Sequence, residues 1–94
     1  MLGVKIRTDE DWFVFKSQFN KIHPEYIKKL KVRFQHLTTG EYRLCMLMKL
    51  DYNRIQISEA LGASDNSASK SIYRLRKKMN FITDDELQEF LKKI

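Results

Sequence analysis

The side chains of this chain that are equipped for chemistry are donors and cations rather than nucleophiles. From Lys70 to Lys78 there are five basic residues (Lys70, Arg74, Arg76, Lys77 and Lys78) and no acidic one. At about 100° per residue, Asn66, Ser69, Lys70, Tyr73 and Lys77 project away from an apolar stripe of Ala68, Ile72, Leu75 and Met79. Such a face suits a double-stranded polyanion. Asn66 and Lys70 can donate to base edges, with Ser69 and Tyr73 beside them, and Arg74, Arg76 and Lys77 can neutralise phosphates. Thr38, Asn53, Ser64 and Ser67 are the further candidates for phosphate contact. An ordinary solvated surface helix carries a basic face too, so the elements that present this one have to discriminate.

Those elements are legible. Asn53 and Gln56 form a capping-box pair at the start of a helix carrying Ile57 and Leu61 one turn apart. Gly62 can take the left-handed backbone that ends it. Ser64 is the natural N-cap of the next helix, over about residues 65–79. A short capped helix, a glycine turn and a helix with one apolar and one basic face make a helix-turn-helix, whose second helix enters the major groove. Ser64, Ser67, Ser69 and Ser71 keep the tip of that helix slim.

The rest of the chain reads as support. Met1 to Arg7 carries no helical signal and reads as a frayed lead or the scar of a truncation. Thr8 and Asp11 open a first helix whose stripe is Trp12, Phe15, Phe19 and Ile22, read as a packing face rather than a stacking surface. His23-Pro24 ends it and starts a second, with Pro24 at the first helical position. Tyr26, Ile27, Leu30 and Phe34 face inward there, and Lys28, Lys29, Lys31 and Arg33 outward, a basic face read as solubilising. Thr38 and Glu41 cap a third helix, apolar on nearly all sides from Leu44 to Leu50, the buried spine of the domain. Arg43 and Lys49 must lie at its edge. Thr83 and Glu86 cap a last helix with the stripe Leu87, Phe90, Leu91 and Ile94, which either closes over the first helix or pairs with a second subunit.

Composition bounds the alternatives. Ninety-four residues, 43% hydrophobic, make one small folded domain. There is no alternating β-branched run long enough for a strand, so the expected class is all-α: a tri-helical core with an N-terminal helix pair and a C-terminal helix. A net charge of +6 favours a polyanionic partner. The single cysteine, Cys45, cannot form an internal disulfide and fits a reducing cytoplasm; it reads as a small core hydrophobe. His23 and His36 have no partner at metal-ligand spacing. With no Gly-rich phosphate loop and no nucleophile beside a base, neither an enzyme, a cofactor nor a small-molecule ligand is expected. The longest apolar run, Leu44 to Met48, is too short for a membrane span.

Leu37-Thr38-x-x-Glu41, Ile57-Ser58-x-x-Leu61-Gly62-x-Ser64, Ser67-Ala68 and Arg74-Leu75-Arg76-Lys77-Lys78-Met79 occur in this order. Together they resemble the LuxR/GerE-type helix-turn-helix, part of the winged-helix-like superfamily. The preceding Trp12, Phe15, Phe19, His23 and Pro24 resemble the variant that ends regulators of Bacteroidetes bacteria. The resemblance spans about residues 10 to 94. It implies one domain over 1–94, with a helix pair at 8–36 and a LuxR-like unit at 37–94, and bacterial transcription regulation through duplex DNA, often as a homodimer on paired half-sites. It implies base contacts at Ser69, Lys70 and Tyr73, and backbone contacts near Ser67, Arg74 and Lys77 and from the segment before Asn53. In that family the domain usually follows a sensor or receiver region, so the residues read as a fragment of a longer regulator. Two positions depart from its pattern: Ser58 stands where alanine is usual, and Ala68 where valine is usual. The alternative from another class is a protein-interaction module docking on RNA polymerase, a sigma factor or its own copy through the stripe of the last helix.

Overall fold

A computed structural model describes residues 5–94, so the expectation for Met1 to Val4 lies outside the described residues. Six helices follow one another: α1 (Asp9–Ile22), α2 (Tyr26–Arg33), α3 (Thr39–Lys49), α4 (Arg54–Leu61), α5 (Asp65–Lys78) and α6 (Asp84–Lys93). No strand occurs among the described residues, and the chain is all-α. Capping decides most starts. Thr8 with Asp11, Thr38 with Glu41, Asn53 with Gln56 and Thr83 with Glu86 each form a reciprocal capping box. In each, the cap side chain accepts from the third-residue N–H, and that residue's side chain accepts from the cap N–H. Two otherwise orphaned donors are satisfied at every one of these ends.

Pro24 departs from its expected place. It lies in a turn with Glu25, and α2 starts at Tyr26 with no side-chain cap. Tyr26, the first residue of α2, ties it to the core: its hydroxyl donates to the Cys45 carbonyl at 3.2 Å, and its ring meets Phe19 edge-on at 5.5 Å. One side chain thus joins α1, α2 and α3. Desolvation by burial raises the pKa of that hydroxyl, which therefore stays a donor.

The spine is as expected: Leu44, Cys45, Met46, Leu47 and Met48 are all buried in α3. Burial also pushes the Cys45 thiol up to about 12, so the group packs as a hydrophobe and is a poor nucleophile. Arg43 sits at the edge with its guanidinium over the Trp12 ring at 4.6 Å, and Lys49 donates to the Lys92 carbonyl at 2.6 Å. α4 packs on α5, and α5 rests on α3. α3 packs more extensively on α6 than on α5, so the core is shared by α3, α4, α5 and α6.

Three expectations change. α6 closes over α3 and α5, not over α1. Its Leu87 and Leu91 are fully buried, and Phe90 packs on Phe34 at 5.8 Å and Phe81 at 5.1 Å. Ile22 is 71% exposed although it continues the α1 stripe, because the chain turns away at His23 one residue later. Residues 5–7 are not a frayed lead: Ile6 is buried, and its N–H donates to the Ala60 carbonyl at 2.7 Å.

Glu41 links the spine to the motif. Its carboxylate accepts from the Thr38 N–H at 2.8 Å and from the Lys78 ammonium at 2.9 Å. Partial burial raises its pKa, but the Thr38 N–H and Lys78 outweigh that and hold the carboxyl below its ordinary 4.5. A depressed folded value stabilises above the unfolded pKa and is lost as pH falls through the folded one. Urea unfolding should therefore show a plateau near neutral pH and a loss of stability below about pH 4.5. Glu41→Gln should flatten that acid limb.

Candidate nucleic-acid interface

The candidate interface is built on α5. Ser64 caps it by accepting from the Ser67 N–H at 3.1 Å, and its underside, Ala68, Ile72 and Leu75, is buried. That burial fixes the rotation of the helix, so the opposite face must be presented outward. Asn66, Lys70, Arg74 and Lys77 are exposed, Ser69 is half-buried and Tyr73 is 52% exposed. Among the described residues, Lys70, Arg74 and Lys77 have no carboxylate within ion-pair distance. Their charge is available to an external anion.

Tyr73 is held rather than loose. Two cations approach its ring, the Arg76 guanidinium at 5.0 Å and the Lys77 ammonium at 5.9 Å from the centroid. Cation–π attraction of this kind restrains an exposed ring at modest energy, on the order of 0.5–1 kcal/mol. The hydroxyl at the ring's tip can then meet a base or phosphate.

Two of the basic residues are engaged elsewhere. Arg76, expected among the phosphate contacts, is a clamp. Its guanidinium donates to the Phe81 and Ile82 carbonyls, and Nε lies 3.1 Å from Asp84 Oδ1 without hydrogen-bond alignment. It holds the turn from α5 to α6, where Asn80 carries a positive φ of 64°. Lys78 is bound to Glu41. The cap residues are partly committed too. Thr38 and Asn53 use their side-chain oxygens inside capping boxes, leaving a hydroxyl hydrogen and an amide NH2 for an outside partner. Ser64 donates to Ser67 Oγ at 3.2 Å.

Residues that the sequence did not single out also frame the site. Arg54 follows the Asn53 cap as the first residue of α4 and is exposed. Its place directly after a readable cap was a usable signal. Arg7 left none: its Nη2 donates weakly to the Glu59 carbonyl at 3.4 Å, 52 residues away, and lays its guanidinium over the turn. Ser58, the departure from the alanine pattern, has a structural use. Its hydroxyl is 2.9 Å from Asp65 Oδ1 and 2.7 Å from the Ile55 carbonyl, and donates to one at a time. It joins the end of α4 to the first residue of α5. Ala68, the other departure, is buried on the underside of α5.

The turn itself depends on Gly62, which sits at φ +67°. A left-handed conformation costs an L-residue roughly 1–2 kcal/mol. A Cβ there would also meet Arg7 Nε at 2.6 Å, although that flexible side chain can move. Gly62→Ala should destabilise by about 1–2 kcal/mol in urea unfolding, nearly all of it from the backbone.

Elsewhere the described residues bring together no group of three His, Cys, Asp or Glu able to hold a metal, and none of their helices is long and apolar enough to cross a membrane. No family model, curated protein or solved structure matches the chain.

Proposed function

We propose that the chain binds double-stranded DNA for transcriptional regulation, with α5 laid in the major groove. One observation carries this reading. A capped helix is anchored along its apolar underside, and its outward face holds Asn66, Lys70, Tyr73, Arg74 and Lys77, its three cations lacking an acidic partner among the described residues. The α4–turn–α5 geometry and the motif order that resembles LuxR-type domains support it further. In the proposed roles, Asn66, Ser69, Lys70 and Tyr73 meet base edges. Ser67, Arg74 and Lys77 clamp phosphates, joined by Arg54 and Arg7 at the motif's rim. Arg76, engaged with the turn after α5, and Lys78, engaged with Glu41, keep α5 in place.

Selection of bound duplexes from a random library tests the reading and finds the site. On a selected duplex, Lys70→Ala and Tyr73→Ala should each relax sequence preference at a cost of about 1–3 kcal/mol. Lys77→Ala should weaken all duplexes alike. Failure to enrich any sequence, with no low-salt duplex binding, would refute the proposal.

The alternative, a module docking on RNA polymerase, a sigma factor or its own copy, rests on the α6 stripe. Leu87 and Leu91 of that stripe lie in the core, so less of it is offered to a partner.

A further inference from the structure

A concave feature lies away from α5, where α1, α2 and α3 meet. It is a cleft of about 330 Å³, within the range that holds small ligands. Ile27 and Met46 contribute apolar lining, with Trp12, Tyr42 and the 73% exposed Phe13 as aromatic walls. Three cations line it, Lys16, Lys31 and Arg43, against one acid, Asp9. None of the three has a carboxylate within ion-pair distance among the described residues.

Two of these cations are pre-positioned. Arg43 lies over Trp12 at 4.6 Å, and the Lys31 ammonium lies 5.5 Å from the Tyr42 ring centroid. Stacking of this kind lowers the ordering cost that a flexible cation otherwise adds to ligand capture. Tyr42 is fixed in turn, its hydroxyl donating to the Phe34 carbonyl at 2.6 Å.

We propose that this cleft binds a small aromatic anion, such as an aromatic carboxylate, its ring against Phe13 and Tyr42 and its charge toward Arg43 and Lys31. An inorganic anion alone would leave the apolar lining unused, and a neutral ring would leave the cations unused. No motif in the sequence marks such a site, because its walls come from three helices.

Calorimetric titration of the full chain with naphthoate tests this. The expected result is a saturable single-site isotherm with Kd of about a millimolar or tighter. Naphthalenemethanol, the neutral counterpart, and inorganic phosphate should each bind about tenfold more weakly or not at all. Lys31→Gln and Arg43→Gln should weaken naphthoate by roughly three- to tenfold, and Lys28→Gln, on the same helix outside the cleft, should not. Arg43 also covers Trp12, so circular dichroism accompanies that variant; Lys31 is exposed, and its variant stays informative if Arg43→Gln loosens the fold. No saturable binding, equal binding of the neutral alcohol, or indifference to Lys31→Gln overturns the proposal. Phosphate binding as tightly as naphthoate also overturns it, because the cleft would then be a plain anion patch. No DNA is present in this titration, so its outcome is independent of the DNA-binding reading.

Discussion

A chain carrying Lys70→Glu and Arg74→Glu together is expected to lose about two orders of magnitude or more of duplex affinity. Both residues sit one turn apart on the outward face of α5, and neither touches a carboxylate among the described residues. Each reversal removes an attraction and adds a repulsion toward phosphates. The fold should hardly notice. Exposed substitutions of this sort usually shift stability by no more than about 0.5 kcal/mol. The new like-charge pair at i, i+4 costs a few tenths, offset by Lys77 and Lys78 one turn on. Fluorescence anisotropy on a labelled duplex, beside a thermal melt, reads both quantities. Undiminished affinity would show that DNA, if bound, is held elsewhere.

The second large effect lies on the underside of the same helix. Leu75 is fully buried where α5 meets the core. Leu75→Ala removes apolar volume that rigid neighbours cannot refill, at a cost of about 2–5 kcal/mol. A domain of this size has roughly 5–14 kcal/mol to lose. Urea unfolding should therefore show a much lower midpoint, while duplex binding in buffer should fall only where the stability left approaches zero. Tyr73→Ala, two residues away but 52% exposed, should leave the midpoint almost unchanged. The contrast separates residues that hold the helix from residues that use it.

How much of this was readable in the sequence follows from what kind of physics set each feature. The four capping boxes, the Gly62 turn and the Ser64 cap are local, decided within three or four residues, and all are present where the sequence places them. The buried spine of α3 is legible because five consecutive apolar residues leave no solvent face. What the sequence concealed is tertiary. Arg76 and Lys77 are neighbours with similar side chains, yet the bend after α5 turns the Phe81 and Ile82 carbonyls toward Arg76 alone. Lys78 meets Glu41 across 37 residues, and Ile6 finds the Ala60 carbonyl across a longer span still. Helical periodicity marks which positions face inward, as with Leu87 and Leu91. It carries no information about which helix they face, so α6 was equally compatible with α1 or a second subunit. Pro24 shows the remaining weakness: it falls in a turn two residues before α2, and its preference for the first helical position is not realised.

The choice between the two basic faces of the molecule is the sharpest test of α5 as the DNA-binding helix. The salt dependence of duplex binding should be measured for the parent chain, for Arg74→Gln with Lys77→Gln on α5, and for Lys28→Gln with Lys29→Gln on α2. Every cation removed from a phosphate should flatten the slope of log K against log salt by roughly 0.9, so the α5 pair should flatten it by roughly two and the α2 pair should leave it unchanged. A slope that responds to the α2 pair and ignores the α5 pair would contradict the assignment.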